Sequence, residues 1–301
     1  MASLRLQARA KINLDLRVLG TRPDGYHELR TIFQTLDLHD TVTVTRVRGA
    51  LRLRGDASRM PLDRTNLAWR AAEALWQGSG RTGEPQGIEI HIVKRIPSAA
   101  GLGGGSSDAA AVLTALNEIW KLRMPVADLH GVAASLGADV PFFLVGGTAL
   151  GLGRGDEIFP LADLPVSPVV LVWPDEGVSS ADAYAWLRSS PKDRGGLAPI
   201  TGWRGGHPNM SRVLGGDPGG LENDLEVPVE AKRPVIAEIR RFLTRRRALA
   251  ARMSGSGSAV FGLFADDDAA KRAARAAAAK GWQAVATRTR RRPAGLRPGR
   301  Q

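Results

Sequence analysis

Leu4, Leu6, Ala8, Ala10, Ile12, Leu14, Leu16 and Val18 fall on one side of the opening segment, and Arg5, Gln7, Arg9, Lys11, Asn13, Asp15 and Arg17 on the other. That period of two predicts a strand, or a pair of strands, with one buried face. A cluster of turn formers follows from Gly20 to Gly25. Alternation returns over residues 41–54, and its break at Arg48-Gly49-Ala50 predicts a hairpin. Asn66 is placed to cap a helix that runs through Trp76, and Ile88, Ile90 and Ile92 mark a strand ending at Pro97. A glycine-rich stretch then runs into Ala109-Ala110-Ala111-Val112-Leu113, helical by composition and period. Pro125 opens another helix, which Gly137 stops, and Asp139-Val140-Pro141 opens a short one. Thr148 to Leu152 reads as a strand and Gly151 to Gly155 as a turn.

The second half reads as a fresh unit. Strands are predicted at Val169–Trp173, Ala248–Met253, Ala259–Phe264 and Trp282–Thr287. Helices are predicted from a Ser179 or Ser180 cap through Leu187, over Pro228–Leu243, and over the alanine-rich Asp267–Lys280. Residues 190–220 are loaded with Gly and Pro and read as a long irregular loop. The expected class is α+β with two domains, 1–158 and 159–287, followed by a disordered arginine-rich tail over 288–301.

Composition narrows the chemistry. The chain has 301 residues and no cysteine, which excludes a disulfide scaffold, a thiolate metal site and a cysteine nucleophile. No apolar run approaches a membrane span of about 18 residues, and the N-terminus lacks the continuous apolar core of a signal peptide. A soluble, cytoplasmic protein is expected. The net charge of +12 invites a nucleic-acid reading. Half of it sits in residues 288–301, which hold six arginines and no acid. The remainder is ordinary for a protein that handles polyanionic small molecules.

The most informative stretch is Pro97-Ser98-Ala99-Ala100-Gly101-Leu102-Gly103-Gly104-Gly105-Ser106-Ser107-Asp108. Glycines admit positive φ and let a backbone approach an anion, and the helix that follows offers unpaired amides and the positive end of its dipole. Together these make a phosphate cradle. Ser106 and Ser107 can contact phosphate oxygens, reach Mg²⁺ through water, or cap the helix. The stretch is not a Walker A loop, since the chain contains no Gly-Lys pair, and it does not complete the dinucleotide pattern G-x-G-x-x-G.

Pro97 to Asp108 resembles the second motif of the GHMP kinases. Three further stretches resemble the same superfamily in the right order: Ala10-Lys11-Ile12-Asn13-Leu14, Gly137-Ala138-Asp139-Val140-Pro141, and Met253-Ser254-Gly255-Ser256-Gly257-Ser258. Arg22-Pro23-Asp24-Gly25-Tyr26-His27 is similar to the signature of the branch whose substrate is diphosphocytidyl methylerythritol, and Gly103-Gly104-Gly105 and Asn223-Asp224-Leu225-Glu226 fit that branch too. The resemblance implies a GHMP kinase fold. Its N-terminal domain would be of the ribosomal protein S5 domain 2 type, and its C-terminal domain ferredoxin-like. It implies ATP and Mg²⁺ as cofactors. The implied reaction phosphorylates the 2-hydroxyl of 4-diphosphocytidyl-2-C-methyl-D-erythritol, a step of the non-mevalonate route to isoprenoid precursors.

The resemblance also assigns roles. Lys11 and Asp139 are the catalytic pair: Asp139 receives the hydroxyl proton and Lys11 orients the acceptor. By spacing alone Asp139 reads as an N-cap, and Lys11 as a member of a solvated strand face with Arg9 and Arg17; the resemblance reverses both readings. ATP is expected on Pro97, Ala99, Gly101, Leu102, Gly103, Gly104, Gly105, Ser106 and Ser107, with Lys94 beside the adenine. The diphosphocytidyl substrate is expected on Asn13, Tyr26, His27, Asp139, Gly255, Ser256 and Gly257. Tyr26 would stack on the cytosine and His27 would read its edge. A second aromatic would clamp the base, with Tyr184 the candidate; the alternatives are that Trp186 is the clamp or that Tyr184 is a core residue. His39, His91, His130 and His207 show no metal-ligand spacing, and no metal site is expected from side chains alone. The rivals are another small-molecule kinase of the superfamily, of homoserine or mevalonate type, and a nucleic-acid-binding protein on a related fold. No membrane or specific nucleic-acid partner is expected, and the sequence does not give the oligomeric state.

Overall fold

The computed structural model describes residues 2–56, 58–189 and 221–293. The predicted loop at 190–220, with His207, and residues 294–301 lie outside the described residues. The chain divides into two compact units that interleave in sequence. One comprises residues 1–10, 38–98 and 103–145, the other 11–37, 99–102 and from 146 onward. The expected single cut near 158 is therefore replaced by a discontinuous division. Its cause is the length of the first two strands, β1 (Ser3–Thr21) and β2 (His27–Ala50), each of which belongs partly to both units.

In the first unit, β2 pairs antiparallel with β4 (Gln86–Val93) from Thr41↔Val93 to Arg46↔Ile88, and β3 (Arg52–Gly55) pairs with β4 in parallel. The hairpin expected over 41–54 does not form. β2 continues to Ala50, and the residues beyond it cross to the far edge of β4. Ile88, Ile90 and Ile92 turn one face of β4 into a core shared with α1 (Leu67–Gly78), α2 (Gly104–Ile119), α3 (Val126–Leu136) and α4 (Val140–Val145). Asn66 Oδ1 accepts from the Ala68 amide and so starts α1 as predicted. Small residues on α2, from Ala109 to Ala111 and at Ala115, let it pack closely on α1.

In the second unit, β2 pairs with β5 (Thr148–Leu152) through Thr31↔Gly151 to Gln34↔Thr148, and β5 pairs with β6 (Glu157–Pro160). A second sheet runs in the order β10 (Gln283–Arg288), β7 (Pro168–Trp173), β9 (Val260–Leu263), β8 (Ala250–Met253), antiparallel throughout. With α5 (Ser180–Arg188), α6 (Glu226–Lys232) and α7 (Pro234–Arg245) after β7, and α8 (Asp267–Ala278) before β10, this is the expected ferredoxin-like arrangement. The single helix predicted over 228–243 is two. Proline at 234 lacks the amide a continuing helix needs and instead opens α7.

The tail expected from 288 is ordered through its described part. Arg288 closes β10. Thr289 bridges to Leu36, and the Arg290 amide donates to Thr35 O at 2.8 Å. The Arg292 guanidinium donates to the carbonyls of Gly146 and Thr148, and its amide to Asp163 Oδ2 at 2.9 Å. Among the described residues no helix is long and apolar enough to cross a membrane.

Candidate active site

The polar side of β1 is buried where it matters. Lys11, Asn13 and Asp15 are each 6% exposed or less, so the solvated-face reading fails from Lys11 onward. The Lys11 ammonium donates to Asn13 Oδ1 at 2.6 Å and to Gly101 O at 2.9 Å, and lies 5.6 Å from the centre of the Phe33 ring. Asn13 Nδ2 donates to Thr31 Oγ1 at 2.7 Å, and that hydroxyl donates to Asp15 O at 2.7 Å. Burial pushes the Asp15 carboxyl above its ordinary range, against the pull of Arg30 and Arg17 beside it.

The loop over 254–258 meets this cluster. Ser254 Oγ accepts from the Asn13 amide at 3.3 Å and donates to Gly101 O at 3.1 Å. A Cβ on Gly255 would stand 3.0 Å from Asn13 Oδ1 and 3.3 Å from Lys11 Nζ, so the backbone approaches the lysine as only glycine allows. Ser256 Oγ lies 3.0 Å from Ser180 Oγ, and Gly257 sits at φ +84°. The loop is held from below by the Asn223 motif. Asn223 Nδ2 donates to Met253 O and Gly255 O at 2.9 and 2.8 Å, and Glu226 Oε2 accepts from the Met253 amide at 2.8 Å.

The glycine loop between β4 and α2 alternates into left-handed backbone at Ala99 (φ 51°), Gly101 (φ 72°) and Gly103 (φ 71°). Leu102 O accepts from the Lys11 amide and Ala100 O from the Ala259 amide. Gly103 caps α2 with no side-chain hydrogen bond, which removes the capping role offered for Ser106 and Ser107. The first amides of α2 are thus left for another acceptor. Gly105 is exposed, Ser106 half-buried and Ser107 buried. Pro97 is half-buried at the loop's start. Asp139 is a half-buried turn residue directly before α4.

The family model described as "GHMP kinases N terminal domain" matches residues 66–147, and "GHMP kinases C terminal" matches 211–282. A 4-diphosphocytidyl-2-C-methyl-D-erythritol kinase of Solibacter usitatus is 46% identical over 89% of this chain and 83% of its own length. One of Geobacter sulfurreducens is 42% identical over 96% of this chain and all of its own. The chain belongs to the 4-diphosphocytidyl-2-C-methyl-D-erythritol kinase family of the GHMP kinases. A crystal structure of 4-(cytidine 5'-diphospho)-2C-methyl-D-erythritol kinase is similar at a TM-score of 0.79 and 38% identity, covering 95% of this chain and 99% of that one. Methanococcus jannaschii mevalonate kinase shares the fold, at a TM-score of 0.68 and 13% identity over 96% of this chain and 99% of its own.

With the GHMP kinase family established, the aromatic residues expected at the base take on shape. His27 and Tyr184 come together with ring centroids 4.8 Å apart and planes tilted by 44°. Tyr26 is 58% exposed, and the Arg154 guanidinium lies 5.2 Å from its ring centre. Tyr184 and Trp186 both pack against the second core, and Arg233 lies 5.7 Å from the Trp186 ring centre. Lys94, expected beside adenine, has its ammonium between Asp40 and Asp108, with only 6% of the side chain exposed. Sequence reasoning singles out neither Thr31 nor Asp40, and it marks Asn223 and Glu226 without the bracing role their contacts show. Only Asn223 and Glu226 carried a signal, through their place in a family-like motif.

Proposed function

We propose that this chain transfers the γ-phosphoryl group of ATP to the 2-hydroxyl of 4-diphosphocytidyl-2-C-methyl-D-erythritol, with Lys11 and Asp139 serving the acceptor. Family membership supports the reaction. The single structural observation that carries the residue assignment is the buried Lys11 ammonium, held by Asn13 Oδ1 and Gly101 O at 2.6 and 2.9 Å. A lysine fixed on the carbonyl of the glycine loop itself is a preorganised positive charge, which stabilises developing charge without reorganising when the reaction occurs.

Phosphoryl transfer makes the bond from the hydroxyl oxygen to the γ-phosphorus and breaks the bond to the β–γ bridging oxygen, and the hydroxyl proton leaves. In this proposal Asp139 takes that proton and ADP departs. The α2 start receives phosphate oxygens on backbone amides, with Gly103, Gly104 and Gly105 admitting the close approach. Mg²⁺ would arrive with the nucleotide and neutralise charge on its phosphates, with Ser106 and Ser107 the hydroxyls that would reach it through water. Among the described residues no group of three or more His, Asp or Glu is placed to hold a metal. Tyr26 and Tyr184 would flank the cytosine and His27 would read its edge. The cytoplasm is the proposed location, to be checked by cell fractionation.

The test is ADP release, by a coupled assay, against the diphosphocytidyl compound, mevalonate and homoserine. Turnover of the first alone is expected, and turnover of mevalonate in its place would overturn the substrate. Asp139→Asn is expected to lose most turnover while binding ATP nearly as before. Wild-type turnover in that variant would remove the proton-acceptor role.

A further inference from the structure

We infer that Lys94 is a positioning residue for nucleotide binding, acting through a buried clasp with Asp40 and Asp108 that fixes both ends of the glycine loop. The inference rests on the reading of that loop as the ATP cradle.

Three ionisable side chains meet in the core of the first unit. The Lys94 side chain is 6% exposed, Asp40 fully buried and Asp108 4% exposed. Lys94 Nζ donates to Asp40 Oδ2 and, at 2.7 Å, to Asp108 Oδ2. Asp40 Oδ1 also accepts the backbone amides of Arg95 and, at 2.8 Å, Ile96. Asp40 comes from β2, Lys94 follows the end of β4, and Asp108 lies early in α2. The residues entering the loop, 94–96, are therefore tied to the helix leaving it. Gly104 rests on the join, since a Cβ there would stand 3.1 Å from Ile96 Cγ2 and 3.3 Å from Lys94 Nζ.

Energetics favour a geometric role over a stabilising one. Charges taken out of water are costly, and a well-packed apolar trio of the same volume is often as stable or more so. The clasp is also imperfect as an ion pair. Two carboxylates share one ammonium, and Asp108 Oδ1 has no hydrogen-bond partner. What the arrangement supplies is direction: hydrogen bonds to two consecutive backbone amides and one ammonium admit one path for the chain into the loop. An ammonium so enclosed is in no position to serve as a side-chain ligand for adenine.

The test measures binding of ATP with Mg²⁺ to the full chain by calorimetry, which needs no knowledge of the acceptor substrate. Lys94→Met and Asp108→Ala are each expected to weaken ATP by about 10- to 100-fold, the scale at which loss of a partner that orients a binding group acts. Asp108→Asn, whose amide oxygen still accepts from Lys94, should stay close to wild type. The double variant Lys94→Met/Asp108→Ala should bind no worse than the weaker single, because both remove the same clasp. Wild-type affinity in Asp108→Ala, or effects that multiply in the double variant, would overturn the inference, the latter pointing to direct contact by Lys94. Should Asp108→Ala not fold, amide exchange over residues 95–107 in Lys94→Met decides: faster exchange supports the clasp and unchanged protection refutes it. If the wild type binds ATP but leaves the diphosphocytidyl compound untouched, the substrate assignment falls and the clasp still stands.

Discussion

Lys11 and Asn13 stand two residues apart on one side of β1, and the amide oxygen of the second accepts from the ammonium of the first at 2.6 Å. The lysine's direction is thereby set by its own strand. Asn13 is in turn oriented by Thr31 across to β2. Replacing Asn13 by Leu removes one of the two oxygens on the ammonium and leaves a buried charge poorly paired. Turnover is expected to fall by about 10²-fold, the scale seen when one preorganised electrostatic group is lost, with the ATP KM little changed. Steady-state kinetics with ATP varied at saturating acceptor would show this, and an unaltered kcat would refute it.

Tyr26 is exposed and sits on a turn closed by the Asp24 carboxylate, which accepts the Tyr26 amide at 3.0 Å. Losing a ring that stacks on a base costs about 1–3 kcal/mol. Tyr26→Ala should raise the KM for the diphosphocytidyl compound by about tenfold or more, while Tyr26→Phe stays near wild type. A change in the ATP KM alone would discredit the stacking role.

Two glycines of one loop should answer alanine in opposite ways. A Cβ on Gly101 would lie 2.2 Å from Ser254 O, at a φ of +72° that alanine disfavours. Gly101→Ala should lower Tm and weaken ATP together. Gly105 is helical, and its Cβ would meet only Leu67 Cδ1 at 3.6 Å. Gly105→Ala should hold or raise Tm, as alanine gains about 1 kcal/mol over glycine within a helix. In the proposed cradle the added methyl would stand where phosphate approaches, so the variant should still raise the ATP KM several-fold. Thermal melts and kinetics on the same two variants separate these outcomes, and an unchanged ATP KM in Gly105→Ala would remove that glycine from the cradle.

Asp108 gives a pH signature. Burial, with Asp40 nearby and only one ammonium between them, pushes its carboxyl from an ordinary 3.8 up to about 7. The fold therefore keeps a proton that the unfolded chain releases near 3.8. The resulting stabilisation is fully present at pH values below 3.8 and declines as pH rises to about 7, then stays level. Asp108→Asn removes this dependence, so the stability of wild type relative to the variant should fall between pH 5 and pH 8. Urea unfolding at the two values measures it, and a constant difference would contradict the shift.

Much of the fold was legible because its periodicities are strong. Ile88, Ile90 and Ile92 marked β4, and Asn66 and Ser179 capped the helices they were expected to cap. The first half of β2 escaped because it is buried on both sides from Thr31 to Leu36, so alternation has nothing to reveal. β3 pairs with β4 and not with β2, because pairing is a long-range choice that local pattern does not encode. The glycine loop and Lys11 could be read as motifs. The clasp could not, since Asp40 is 54 residues from Lys94 and only the fold brings them together. The substrate aromatics lie between these cases: Tyr26 and His27 share a motif, whereas Tyr184 joins His27 only in three dimensions.

The anchoring of Arg288 to Arg292 changes what the basic end of the chain means in practice. Arg288 pairs with Asp267, Arg290 with Asp37 and Arg292 with Asp163. Three of the six arginines that the sequence gathers at this end thus have carboxylate partners within the fold, and Arg292, whose side chain is 8% exposed, serves the fold rather than the surface. The same bonds define where the protein tolerates surgery. A fusion partner or affinity tag joined after residue 293 keeps the Arg292 guanidinium on the Gly146 and Thr148 carbonyls, whereas one joined at 287 removes that donor and the Arg290 amide from Thr35 O within β2.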